Sequence, residues 1–271
     1  MISKHYFTFP AYIPRICRVF HNWPEYIVNY VLRKKTPTEY RTRQGTRIID
    51  GTGTMAGTLA VVFIRREYGS VSRCRNIVDI GANMGAFALY AAESCLEAQV
   101  ICYEPEERNF EFLRQNIAAN GLGGRVSAIR AAVAGTGGRR ELLIGESPLN
   151  SFYSRPSLAG RQSVECVTLK HILEDHKLDT IDLLKINCEG AEYGIFDNCA
   201  DAELRRIDNI RMEYHNFDDA PHCGQSLASL LEVRGFVIER FSRYRAESGF
   251  IWATRMASSR RRALPRQSPR A

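Results

Sequence analysis

From about residue 76 onward, short apolar runs alternate with amphipathic stretches, and this alternation restricts the chain to βα units around a mostly parallel sheet. Asn76–Ile80 reads as a buried strand, Met84–Glu97 as a helix and Val100–Glu104 as a second strand. The next helix opens at Pro105 with Glu106 and Glu107 in its first turn, where free N–H groups and the helix dipole favour negative charge. Phe110, Leu113 and Ile117 repeat at helical spacing, and Asn120-Gly121 supplies the stop. Arg125–Val133 predicts a third strand, and 139–169 an insertion carrying a hairpin built from Glu141–Ile144 and Val164–Leu169. Strands over Asp182–Asn187 and Asn209–His215 and helices over Ala191–Cys199 and Gln225–Val233 follow. Phe236–Arg240 and Gly249–Ala253 are two last strands with only a turn between them, so one must run antiparallel. The expected fold is α/β and Rossmann-like: a mostly parallel seven-stranded sheet, an antiparallel strand in the C-terminal hairpin, and helices on both faces.

Before this core, Arg47–Asp50 reads as a strand, Leu59–Tyr68 as a helix covering the sheet, and Tyr12–Leu32 as a helical, aromatic-rich cap broken by Pro24. The expected division is a cap over 1–58, a core over 59–255 and a tail over 256–271. The net charge of +7 belongs mostly to the C-terminal end, because Arg255–Ala271 holds six arginines and no acid. Such a Ser-, Pro- and Arg-rich stretch is expected to be disordered, either simply solvated or in loose contact with an anionic surface. The near-neutral remainder argues against a nucleic-acid footprint, which needs a clustered basic face. Eight scattered cysteines without a C-x-x-C pair point to a reducing, cytoplasmic setting and no zinc site. No apolar run approaches membrane-spanning length, and Pro10, Pro14, Arg15 and Arg18 interrupt the start of the chain before it takes the shape of a signal peptide.

The stretch Val78-Asp-Ile-Gly-Ala-Asn-Met-Gly-Ala-Phe87 lies where a strand becomes a helix, the edge at which α/β sheets bind ligands. Gly81 and Gly85 let the backbone turn tightly and approach a ligand. Asn83 occupies the middle-glycine position of a dinucleotide loop, so the implied ligand has no pyrophosphate. Asp79 at the strand end would reach a positively charged amino group. Glu104, 19 residues beyond Gly85, has the spacing of a ribose-binding acid. Against these stand a purely structural turn and, for Glu104, an ordinary helix N-cap.

These residues also carry a family resemblance. VDIGANMGAFALYAA (78–92), YEPEERNFEFLRQNIAANGL (103–122), Val167-Thr-Leu169 and above all LLKINCEGAE (183–192) resemble the FkbM methyltransferases over roughly residues 60–240. The resemblance implies the class I methyltransferase variant of the Rossmann-like fold, S-adenosylmethionine as methyl donor, and an acceptor hydroxyl on a sugar, glycan or polyketide-type product. It places the cofactor on Asp79, Gly81, Asn83, Gly85, Glu104, Pro105, Ala132 and Asn187. Asn187 is a departure, since the family's KIDxEGxE block has Asp there, and an amide cannot act as an anionic base.

An alcohol acceptor needs a base to take its proton. Glu213 and His215 lie two apart in a strand and so project from one face. His215 is the preferred base because imidazole titrates near neutrality, with a structurally bonded histidine as the other reading. Glu189 would orient it or bind the acceptor; Asn187 would assist, and Asn150, Ser151, Glu192 and Glu213 are candidate acceptor contacts. The same three carboxylates, amide and imidazole have the donor types to hold a divalent metal, although no metal is assigned. Three readings compete: N-methyl transfer, a cofactor binder without catalysis, and an NAD-linked oxidoreductase, which the missing middle glycine disfavours.

Overall fold

The computed structural model describes residues 5–32, 36, 38–145, 158–216, 222–243 and 247–256. Its strands are β1 (Thr38–Arg41), β2 (Arg47–Asp50), β3 (Asn76–Ile80), β4 (Gln99–Tyr103), β5 (Val126–Ile129), β6 (Ala132–Val133), β7 (Gly138–Gly145), β8 (Leu158–Val167), β9 (Leu183–Ile186), β10 (Asn209–His215), β11 (Phe236–Arg243) and β12 (Ser248–Arg255). Its α-helices are α1 (His5–Val19), α2 (Trp23–Leu32), α3 (Met55–Leu59), α4 (Ala86–Ser94), α5 (Glu107–Ala119), α6 (Leu169–Asp175), α7 (Glu192–Asn198), α8 (Asp201–Leu204) and α9 (Gly224–Val233).

Seven strands form one sheet in the order β11-β12-β10-β9-β3-β4-β5. All neighbours from β10 to β5 pair parallel, while β12 runs antiparallel between β10 and β11. This is the class I methyltransferase arrangement expected from the terminal hairpin. Successive residues of the central strands enter opposite cores, as period-2 alternation requires. Ile77, Leu183 and Phe250 join the cluster under α1–α5; Val78, Leu184 and Ile251 join the cluster under α6, α7 and α9. Helices therefore cover both faces.

The structure differs from the sequence expectations in several places. The expected strand 125–133 is broken: Ala131 N–H turns back onto the Ile129 carbonyl, and Ala132 leaves the main sheet to pair with Cys166. Strands β6, β7 and β8 then make a small separate sheet in the order β6-β8-β7. The strand expected to run to Leu169 ends at Val167, because Thr168 caps α6 through reciprocal bonds with His171. The cap breaks at Phe20–Asn22 rather than at Pro24, which sits harmlessly in the first turn of α2. The expected helix 59–68 turns into a π-helix over Ala60–Arg65 and closes at left-handed Arg66 (φ 52°), freeing Tyr68 to enter the site described below. Asn150, Ser151 and the arginine tail beyond Met256 lie outside the described residues.

α1, α2, β1 and β2 share the main core. Ile16, Phe20, Tyr26, Tyr40 and Ile48 pack in one cluster with Phe63 and Phe87. Buried Asn116 on α5 fastens them. Its amide donates to the carbonyls of Ile49 (3.1 Å) and Met84 (2.8 Å) and accepts from Ile49 N–H (2.7 Å), tying β2 to the glycine-rich turn. Asn116→Ala would strand those three backbone groups. A loss of about 2–4 kcal/mol in denaturant unfolding is expected, given about 1–3 kcal/mol for each buried group left unpaired and some relaxation.

Candidate active site

The turns after β3, β4, β9 and β10 converge at the carboxyl edge of the sheet. Between β3 and α4 the backbone takes left-handed conformations at Gly81 (φ 72°), Asn83 (φ 51°) and Gly85 (φ 91°). At Gly81 glycine is obligatory: a Cβ there would lie 1.8 Å from the Asn187 carbonyl oxygen. Asn187 N–H in turn donates to the Ile80 carbonyl at 3.0 Å, so the β3 and β9 turns are pressed together.

Beneath that contact Asp79 and Lys185 face each other across paired strands, with Lys185 Nζ 2.8 Å from Asp79 Oδ1. Lys185 also donates to the Gly81 carbonyl (2.8 Å) and sits 5.5 Å from the Tyr68 ring centroid. Burial pushes the Asp79 carboxyl up, against the opposing pull of Lys185. Asp79 is thus enclosed, its Oδ1 ion-paired with Lys185 and its Oδ2 buried without a hydrogen-bond partner. Its charge holds Lys185 under the turn.

Glu104 is different. The N-cap of α5 is Glu106, whose carboxylate accepts from Arg108 and Asn109 N–H. Glu104 is therefore released from capping and closes the glycine turn instead, its Oε2 accepting from Asn83 N–H (2.8 Å) and its Oε1 from Glu106 N–H (3.0 Å). Each oxygen keeps a free lone pair. Burial, opposed by these backbone bonds, raises its pKa to about 7. Pro105 lies beside it, half-buried. Ala132, by contrast, packs into a small cluster with Ala134, Leu142, Val164 and Cys166.

On the acceptor side, Asn187 Nδ2 donates to Glu213 Oε2 at 3.0 Å, and Asn187 Oδ1 is buried with no hydrogen-bond partner. His215 Nδ1 lies 3.1 Å from Glu192 Oε1, and its Nε2 3.5 Å from Glu189 Oε2. Glu192 is wholly buried and also accepts from Cys188 N–H (3.2 Å). Glu192 therefore sits on the Nδ1 side of the imidazole and Glu189 on its Nε2 side. Glu189 sits in a left-handed conformation (φ 51°), a strained state that a non-glycine residue holds only where the surroundings impose it. Burial alone would pull His215 down, but Glu192, Glu189 and Glu213 together push it up to about 9. Burial raises Glu213 as well.

One residue of this site escaped the sequence reading. Tyr68 is enclosed, and burial followed by the charges of Glu213 and Asp79 drives its phenol well above the ordinary range. Only the π-helix brings it here, and no local pattern announces one. Lys185 was visible as a charge inside an apolar strand, the signature of a buried pair.

The profile of the methyltransferase FkbM domain matches residues 79–244, more than half of the chain. The chain belongs to the FkbM methyltransferase family. Methyltransferase sdnD of Sordaria araneosa is 27% identical over 60% of this chain and 74% of its own length. The 31-O-demethyl-FK506 methyltransferase FkbM of Streptomyces tacrolimicus is also 27% identical, over 60% of this chain and 72% of its own. Among solved structures, EvdMO1 is 17% identical over 73% of this chain and 41% of its own, with a TM-score of 0.44. This FkbM-family chain is an S-adenosylmethionine-dependent methyltransferase.

The turn fits such a cofactor on two counts: Glu104 offers two acceptor oxygens, and Asn187 Oδ1 is an orphaned buried acceptor of the kind an ammonium group satisfies. A Glu104 that accepts from both ribose hydroxyls would have a measurable consequence. Its neutral form predominates below pH 7 and its carboxylate above, and only the carboxylate accepts twice. Cofactor affinity should therefore rise from pH 6 to 8, with proton release on binding near pH 7 seen by calorimetry in buffers of different ionisation enthalpy. Glu104→Gln should abolish the proton release and weaken binding by about 10- to 100-fold.

Proposed function

We propose that this FkbM-family methyltransferase methylates a hydroxyl oxygen of a small-molecule or glycan acceptor, with His215 as general base and Glu192 as the group that orients it. The observation that carries this reading is the buried imidazole, fixed at Nδ1 by Glu192 (3.1 Å) while Nε2 faces only the longer 3.5 Å contact with Glu189. A histidine held on one nitrogen by a buried carboxylate presents the other in a defined tautomer. The relative from Streptomyces tacrolimicus, whose name specifies a 31-O-demethyl substrate, supports an oxygen acceptor.

On this reading Gly81, Asn83, Gly85, Glu104, Pro105 and Asn187 hold the cofactor, which supplies an already activated methyl group. Glu189 and Glu213 line the acceptor's approach. The protein's own work is alignment and removal of one proton. Placing that proton on Nε2 makes an imidazolium flanked by Glu192 and Glu189, a charge the site is built to accept.

Deprotonated His215 is scarce at neutral pH when its pKa is about 9. The rate should therefore climb about tenfold per pH unit from pH 6 and level off near pH 9. Glu192→Gln removes the largest upward influence and should move that limb to lower pH. His215→Ala should lose about 10²–10⁴-fold in kcat while keeping cofactor affinity. An unchanged profile in the Glu192 variant would sink the assignment. An amine acceptor can lose its proton to solvent before binding, so full turnover in His215→Ala would point instead to N-methylation.

Asn187→Asp makes a separate test. The family residue would lose the donor bond to Glu213 and set two carboxylates against each other about 3 Å apart. Turnover should fall, and a gain would mean that this chain had lost a catalytic anion.

A further inference from the structure

The helix α2 has a definite inside. Tyr26 is fully buried, stacked on Phe20 at 4.6 Å and donating to the Ala56 carbonyl at 3.1 Å. Buried Asn29 donates to Tyr40 Oη at 3.0 Å and Thr38 Oγ1 at 3.2 Å. These contacts fix which half of the helix faces outward.

That outward half is apolar. At about 100° per residue, Trp23, Ile27, Val31, Pro24, Val28 and Leu32 sweep about half the circumference, leaving Glu25 at its margin. Trp23, Val28, Val31 and Leu32 are exposed, the last at 61%, and Ile13 of α1 is exposed as well. An ordinary surface helix carries its charges on the outer face; one that is apolar all round needs an apolar environment on both sides.

The charge of the sequence on either side of this helix selects the occupant. Residues 1–35 contain six basic side chains (Lys4, Arg15, Arg18, Arg33, Lys34, Lys35) and a single acid, Glu25. Three of the basic residues follow directly after Leu32. Two copies of the chain joined through α2 would bring like charges together, which costs affinity. The arginine-rich tail is no better a cover, being basic itself and short of apolar residues. An acidic bilayer surface meets both demands, with acyl chains for the apolar half-cylinder and headgroups for the flanking cations.

We propose that the outer face of α2 is an interfacial binding surface for anionic lipid, with Trp23, Val28, Val31 and Leu32 entering the boundary between headgroups and chains. No helix among the described residues is long and apolar enough to cross a membrane, so the contact is peripheral. Trp23 lies at the start of the face, and tryptophan favours that boundary.

The test is flotation of the full chain with phosphatidylcholine vesicles, with and without phosphatidylglycerol, at low salt. Binding is expected only to the anionic vesicles. It should be accompanied by a blue shift in the part of the tryptophan emission that Trp23→Phe removes. Val28→Glu combined with Val31→Glu alters exposed side chains only, so the thermal midpoint should hold while vesicle affinity drops about tenfold or more. In the reciprocal control, Arg260→Gln, Arg261→Gln and Arg262→Gln together should leave the blue shift intact. The proposal is overturned if anionic vesicles do not bind the chain. It is equally overturned if the double glutamate variant binds as well as the parent, or if the tail variant alone abolishes binding. Sedimentation that reveals a dimer dissolved by Val31→Glu, without vesicle binding, would assign the face to a second copy.

Discussion

The active site depends on one close approach. Gly81 lies against the Asn187 carbonyl with no room for a Cβ, and the two turns are bonded through Asn187 N–H and the Ile80 carbonyl. Lys185 reinforces the junction from below by taking the Gly81 carbonyl and the Asp79 carboxylate together. A buried ion pair of this kind adds little net stability, because desolvation offsets most of the attraction. Breaking it leaves an uncompensated buried charge, so its value lies in permitting one arrangement of the turns and penalising others. Cofactor turn and acceptor cluster are thus parts of a single rigid edge.

The electrostatics of that edge follow from withholding water. Glu104, Asp79 and Glu213 are all raised by burial, while the surrounding carboxylates raise His215. Burial thus makes each of these carboxyls a weaker acid than it would be at the surface. Two devices keep the cluster from neutralising itself: Lys185 supplies a fixed positive charge behind the turn, and His215 a mobile one in front of it. A sulfonium cofactor entering between them brings a further positive charge, which favours the ionised carboxylates.

What could be read in advance was the part governed by local periodicity. Asn209–His215 and Arg47–Asp50 fall where alternation placed them, and the antiparallel hairpin follows from two strands with no helix between. The glycine turn was legible because backbone conformation is a chain-local property. Roles set by tertiary contact were not. Asp79 and Glu104 are both acids at strand ends, yet one is sealed against Lys185 and the other accepts backbone N–H groups beside the turn. Glu189 and Glu192 sit three residues apart in one motif, and only the helix start at Glu192 decides which of them is interior. Tyr68 needed a π-turn whose register no periodicity records.

Asn187 shows how such a departure can be compatible with chemistry. In isolation, an amide at a position the resemblance assigns to aspartate reads as a lost base. In context the amide has a partner, since its Nδ2 gives Glu213 a hydrogen bond that a carboxylate cannot give. Its Oδ1 remains turned into the site as an acceptor. The substitution lowers the negative charge of the cluster by one while keeping an oxygen available to a cationic ligand. With Glu189, Glu192 and Glu213 already acting on one histidine, a further carboxylate would raise His215 beyond about 9 and make its base form rarer still. The residue at 187 is therefore matched to its neighbours, and its identity helps set the pH at which His215 can take a proton.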